Sequence, residues 1–250
     1  MITNAESGTR IDAITDDISR ISTPVPPAAL PGGFTFNQYL VVAEQPLLFH
    51  CGARGLFPLV AQAVAAVMPV ARLRWIAFGH VESDECGSMN QWLAAAPQAQ
   101  VIHGQIACMV SLNDLADRPP RALSDGETLD LGGKRVRWLD TPHVPHAWES
   151  GLLFEETTGT LFTGDIFTQL GDTGPVIGSA SIVPAAIAAE EGFNATALTP
   201  GTASTLRRLK ALAPRRLAVM HGTCFEGDGA AELEALAAWF DRRCRAALAG

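Results

Sequence analysis

Residues 80–85 read His80-Val81-Glu82-Ser83-Asp84-Glu85, directly after the apolar stretch Leu73 to Phe78. In an extended loop alternate residues point the same way, so His80, Glu82 and Asp84 would present one imidazole and two carboxylates on one side. Taken alone, an acidic loop with a nearby histidine is usually a solvated surface. The rest of the chain repeats the arrangement. Val136 to Leu139 lead through Thr141-Pro142 to His146, Thr160 to Thr163 precede Asp165, and Leu217 to Met220 precede His221. Runs of that length and composition read as buried strands. Strands set side by side in sheets would open these loops at one end, where polar side chains converge on a cleft. The spacing predicts a metal site assembled from residues far apart in sequence.

Working outward, Arg10 to Thr23 predict a small hairpin turning at Asp16-Asp17, followed by a Pro-rich connector, Pro24 to Pro31. Tyr39 to Ala43 and Leu47 to Cys51 predict a second hairpin. A helix is expected from about Leu56 to Met68, with Leu56, Val60, Ala63 and Val67 on one stripe. Met89, Trp92, Leu93 and Ala96 have helical spacing, stopped by Pro97, and a strand follows at Gln100 to His103. Leu129 to Leu131 and Arg135 to Leu139 should turn at Gly132-Gly133, and Leu152 to Glu155 and Leu161 to Thr163 near Gly159. The last third predicts a helix near Ala203 to Leu212, the strand before His221, and a closing helix from Gly229 to Leu248 capped by Asp228. No repeat or linker divides the chain, and this order implies an α+β protein of two packed sheets with helices outside. One domain over residues 1–250 is expected, with residues 1–33 as its N-terminal hairpin and connector.

With 250 residues and 48% hydrophobic content, the chain can bury a large core. A net charge of −8 argues against nucleic-acid binding, because no basic stripe is available to replace phosphate counterions. Carboxylates committed to metal ions would account for part of that acidity. The five cysteines form no CxxC pair, their number is odd, and the opening residues lack a signal-peptide pattern, so a reducing cytoplasm is expected. Gln62 and Pro69 interrupt the longest apolar run, which is too short to span a bilayer. A homo-oligomer is left open. Cys86, Cys224, His103 and Tyr39 are read as core residues.

The His80 loop, the TPHVPHAWESG stretch at 141–151, the TGDIF that carries Asp165 and the MHG that carries His221 together resemble the metallo-β-lactamase superfamily. The resemblance covers about residues 10 to 248 and implies an αββα sandwich of two mixed sheets, with metal ligands on loops at one edge. Most hydrolases of that superfamily carry H-x-H-x-D-H. Glu82 in place of the second histidine is similar to the di-iron branch, the flavodiiron proteins and their stand-alone oxygen-binding relatives. There eighteen residues separate the next histidine from a bridging aspartate, which the interval between His146 and Asp165 matches and His143 does not. The resemblance implies His80, Glu82 and His146 on one metal, Asp84 and His221 on the other, and Asp165 bridging both. Glu85 departs from the pattern, since a histidine is usual there; it could ligate, hold a metal-bound water, or point away and open the helix that follows. His50 and His143 are candidates for supporting positions behind the ligands.

A hard, carboxylate-rich ligand set suits two iron ions, with zinc or manganese as alternatives. The first functional expectation is a di-iron oxidoreductase that binds O2 or NO and reduces it. Flavodiiron proteins follow this domain with a flavin-binding one, and no flavin domain is read in this chain, so a separate electron-donor protein is expected. The second is a non-enzymatic oxygen-binding or sensing protein. The third is a dinuclear zinc hydrolase of an ester, thioester or lactone.

Overall fold

A computed structural model describes every residue except Pro27, Pro31, Asp172, Thr173 and Gly250. Strands β1 (Arg10–Ala13), β2 (Ile18–Val25), β3 (Phe34–Val41), β4 (Leu47–Phe49), β5 (Trp75–Ala77), β6 (Gln100–Gly104) and β7 (Arg121–Leu123) form one seven-stranded sheet in chain order. Strands β8 (Thr128–Asp130), β9 (Arg135–Asp140), β10 (Gly151–Glu155), β11 (Thr160–Gly164), β12 (Ile177–Gly178), β13 (Arg216–Val219) and β14 (Cys224–Glu226) form the other, ordered β12-β14-β13-β11-β10-β9-β8. Both sheets are mixed. In the first, β1 to β4 run antiparallel and β4 to β7 parallel. In the second, β8 to β11 are antiparallel, whereas β11 and β13 pair in parallel.

Continuous apolar strands are explained by burial on both faces. Alternate residues of each strand feed different cores. Tyr39, Val41, Leu47, Phe49 and Trp75 meet Trp138, Leu153, Phe162 and Ala218 between the sheets. Their neighbours Leu40, Leu48 and Ile76 face outward to α1 (Phe57–Ala65) and α3 (Met89–Ala95), which bury Val60, Val64, Trp92 and Leu93 against them. On the second sheet Leu152, Leu161, Leu217 and Val219 face α6 (Val183–Phe193), α7 (Thr202–Lys210) and α8 (Gly229–Ala249). The layers are therefore αββα. Short helices α2 (Ser83–Cys86), α4 (Gln105–Ala107) and α5 (Asn113–Leu115) complete the set, the last two joined by a π-helical turn, Cys108–Leu112. Among the described residues, no helix is long and apolar enough to cross a membrane.

The predicted hairpins, helices and strands are present, with shifts that have local causes. The connector does not begin at Pro24: β2 continues through Pro24 and Val25, which pair with Thr35 and Phe34. Pairing with β1 stops at Ser22, so Pro24 sits where only one neighbour needs hydrogen bonds. Pro27 and Pro31 of that connector lie outside the described residues. Helix α1 ends at Ala65 and not at Met68, because the amides of Val67 and Met68 close on Val64 in a tightened last turn before Pro69. Strand β5 is three residues, shorter than Leu73 to Phe78. Asp228 does cap α8, its Oδ1 accepting the Ala231 amide at 3.0 Å.

This topology places the loops. Strands β9 and β11 both run antiparallel to β10, and β13 runs parallel to β11, so the three C-terminal ends open at the same edge. The β5 loop arrives from the other sheet and is tied across by the Gly151 amide, which donates to Gly79 O at 2.8 Å. A Cβ on Gly151 would stand 2.1 Å from the Trp138 ring, so this junction requires glycine.

Candidate metal centre

The loop after β5 is extended only as far as Glu82, whose φ and ψ are −128° and 155°. Ser83 then opens α2, which corrects the expectation of one extended loop through Asp84. The helical turn swings Asp84 away from His80 and Glu82, and rotates Glu85 into the interior. A register shift between Phe162 and Gly164 at the end of β11, with Gly164 at φ 52°, directs Asp165 out of the sheet into the cleft.

Glu82 Oε2 lies 2.7 Å from His80 Nε2 and 3.0 Å from His146 Nε2. Asp165 Oδ2 stands 3.8 and 3.7 Å from the same two nitrogens. Ligand atoms of His80, Glu82, His146 and Asp165 all fall within 4.8 Å of one another. The other oxygen of Asp165, Oδ1, lies 3.2 Å from His221 Nε2, which is 3.6 Å from Asp84 Oδ2. Asp165 thus turns one oxygen to each group. Its Oδ1 is buried without a hydrogen-bond donor, the condition expected of an atom whose partner is a cation.

Each imidazole directs Nε2 into the cleft because Nδ1 is engaged behind it. Thr35 O lies 2.7 Å from His221 Nδ1, Ala195 O 3.1 Å from His146 Nδ1, and Glu85 Oε1 3.2 Å from His80 Nδ1. A proton held on Nδ1 leaves the Nε2 lone pair for a metal. Phe34 stacks on the His221 ring at 4.2 Å and fixes its plane. Glu149 Oε1 accepts the Val81 amide at 3.2 Å and steadies the loop from beneath. Sequence reasoning missed Phe34, Thr35, Glu149 and Ala195. Backbone carbonyl partners leave no side-chain pattern, although Glu149 lay within the stretch that carries His146.

The remaining candidates separate. Glu85 is fully buried; its Oε2 accepts the Gly79 and His80 amides at 2.6 and 2.7 Å, and its Oε1 lies 3.3 Å from His50 Nε2. His50 is also fully buried, at the end of β4. His143 is exposed, with only its amide bonded, to Ala147 O. His103 is buried, accepts the Gly104 amide on Nδ1, and is pushed down to about 3 by burial. Tyr39 is buried with its hydroxyl donating to Val219 O, and Cys224 Sγ is 3.1 Å from it.

The carboxylates and imidazoles of the cleft shift one another's charge states. Burial opposes charge on His80, yet Glu85 and Glu82, with Asp165, raise its imidazole to about 11. Hydrogen bonds from His146 and His80 hold Glu82 well below the usual carboxylate range, and Glu82 in turn raises His146. Burial and the neighbouring Asp165 raise Asp84. A divalent ion entering this set would displace the protons on its imidazoles. His80, Glu82, His146 and Asp165 offer four ligand atoms close enough to hold one ion, and Asp84 and His221 lie at the other oxygen of Asp165.

An αββα sandwich with a histidine–carboxylate cleft at one sheet edge defines the metallo-β-lactamase class. Within it, residues 34–222 match the family model described as ODP family beta lactamase, and the chain belongs to that family. It is 25% identical over 206 residues to the rubredoxin-oxygen oxidoreductase of Megalodesulfovibrio gigas, covering 79% of this chain and 50% of that one. It is 26% identical over 141 residues to the anaerobic nitric oxide reductase flavorubredoxin of Salmonella arizonae, covering 55% of this chain and 29% of the other. The chain spans about a quarter to a half of the length of the curated relatives it matches. The metal-soaked Flv1 flavodiiron core from Synechocystis sp. PCC6803 superposes with a TM-score of 0.78 over 93% of this chain and 60% of that one, at 21% identity. That likeness, at such identity, concerns the fold.

Proposed function

We propose that this protein holds two iron ions, binds O2 or NO at them, and reduces the ligand with electrons from a separate donor. The observation that carries the reading is the placement of Glu82 Oε2 within 3.0 Å of both His80 and His146 Nε2. A carboxylate there makes the first group anionic and hard, which suits iron in both of its common charge states better than an imidazole would. The relatives named for oxygen and nitric oxide reduction support the choice of ligand, and the rubredoxin in one of those names supports a protein donor. His80, Glu82 and His146 would hold the first ion, Asp84 and His221 the second, with Asp165 shared. Bound there in reduced form, iron supplies electrons and open coordination positions to a diatomic molecule.

The chain's own residues set the conditions for that chemistry. Thr35 O, Ala195 O and Glu85 keep the three imidazoles in the ligating tautomer. Asp165 keeps the two groups in contact. Phe34 and Phe36 cover the His221 face and limit water there. The test is metal analysis of protein isolated from its host under anaerobic conditions, followed by O2 and NO consumption with a chemical reductant. About two irons per chain and consumption of either gas are expected. Zinc in place of iron, with ester hydrolysis and no gas consumption, would overturn the proposal.

A further inference from the structure

Glu85 sits in a seat shaped for a carboxylate. Two backbone amides, Gly79 and His80, donate to Oε2, and a Cβ on Gly79 would crowd that oxygen at 3.1 Å. Oε1 stands between two ring nitrogens, His80 Nδ1 at 3.2 Å and His50 Nε2 at 3.3 Å, close enough for charge attraction although neither contact has hydrogen-bond geometry. His50 adopts φ 65°, a left-handed conformation uncommon for a residue with a side chain. Its amide donates to Ala77 O at 2.8 Å, and its Nδ1 faces Asn37 O at 3.4 Å, which leaves Nε2 for the carboxylate. The contacts of both Glu85 oxygens are thus with Gly79, His80 and His50.

We infer that Glu85, held by His50, is a positioning residue for His80 and not a ligand, so that the two metals bind with unequal affinity. The inference rests on the proposed two-ion site. The first ion would have His80, Glu82, His146 and Asp165 Oδ2. The second would have only Asp84, Asp165 Oδ1 and His221 from the protein. One protein ligand fewer makes the second the weaker position. Glu85 would act on the stronger site through His80, because an acceptor on Nδ1 keeps the proton there and the Nε2 lone pair free.

The experiment is an anaerobic titration of the whole chain with Co(II) against a chelator, read by metal stoichiometry and the visible spectrum, for wild type, Glu85→Gln and His50→Asn. Wild type is expected to fill in two resolved steps. Glutamine keeps the size of the side chain, but it can accept from the Gly79 and His80 amides only by turning its NH2 toward His80 Nδ1. That forces the proton onto Nε2. The tight step should weaken by about 10- to 100-fold while the weak step is unchanged. Asparagine tolerates the left-handed backbone at position 50, so His50→Asn should weaken the same step, by less. Circular dichroism and thermal melting of the metal-free variants separate these effects from loss of fold. Loss of the weak step in Glu85→Gln, with the tight step intact, would mark Glu85 as a ligand of the second ion and overturn the inference. A single wild-type step of two equivalent metals would overturn it too. Cobalt binding is independent of oxygen chemistry, so two steps that respond as stated would stand even if the iron protein failed to react with O2 or NO.

Discussion

Replacing Asp165 with alanine should strip both metals together, because each of its oxygens serves a different group. Oδ2 stands 3.8 and 3.7 Å from His80 and His146 Nε2, and Oδ1 stands 3.2 Å from His221 Nε2. Each ion would lose one anionic ligand, and the two ions would lose the charge that lies between them. Removing a group that only supports a ligand costs about 10- to 100-fold in affinity, so loss of a direct ligand should cost at least about 100-fold at each step. The product over two steps is roughly 10⁴-fold, or about 5.6 kcal/mol. The assay is metal content after anaerobic equilibration with a chelator that wild-type protein withstands, with His146→Ala and His143→Ala in parallel. Asp165→Ala should retain almost no metal and His146→Ala should lose mainly one equivalent. His143→Ala should match wild type, since that side chain is exposed and is not among the clustered ligand atoms. Near-normal metal in Asp165→Ala, or one equivalent lost cleanly with the other held at full affinity, would refute the shared role.

Glu82→His should shift metal preference toward zinc, because it exchanges a hard anion for a neutral nitrogen at the point where His80 and His146 converge. Competitive anaerobic loading with equal Fe(II) and Zn(II) checks this, and an unchanged Fe to Zn ratio would show that the determinant lies elsewhere. Away from the centre, burial opposes charge on Glu155, but hydrogen bonds from Thr158 and from the Thr157 amide hold its carboxyl below the usual value. A lowered folded value means a contribution that is complete above the unfolded value of about 4.3 and is lost as pH falls through the folded one. Glu155→Gln should therefore be less stable than wild type by about 1.5–3 kcal/mol at pH 7, with the gap closing below about pH 4. Urea unfolding from pH 7 to pH 3 measures it, and a gap independent of pH would contradict the assignment.

The apolar runs before His80, His146, Asp165 and His221 were legible because buried mixed sheets demand them, and Gly132-Gly133 and Gly159 marked two hairpins. The cleft residues His80, His146, Asp165 and His221, proposed as ligands, were legible for the same reason, since each follows such a run. Other elements leave little trace. Strands β7, β12 and β14 have three, two and three residues, and exist through the neighbours that offer them an edge. The π turn at Cys108–Leu112 breaks helical spacing, which hides the helical segment around it. Helix α6 carries Pro184 in its first turn and several alanines, so its apolar stripe is faint. The orientation of Glu85 was not legible either, because it depends on where the extended loop gives way to α2. One residue of helix reverses the face that a period-two reading assigns.

The central claim is most directly tested by anaerobic stopped-flow mixing of Fe(II)-loaded protein with O2, followed by an oxygen electrode with and without an added reductant. The account predicts a rapid change in the visible spectrum on first mixing, then no further uptake until reductant or a reducing flavoprotein is supplied. The same protein loaded with zinc should show no change. An unchanged spectrum on mixing the iron-loaded protein with O2 would contradict the redox reading and the oxygen-binding reading alike.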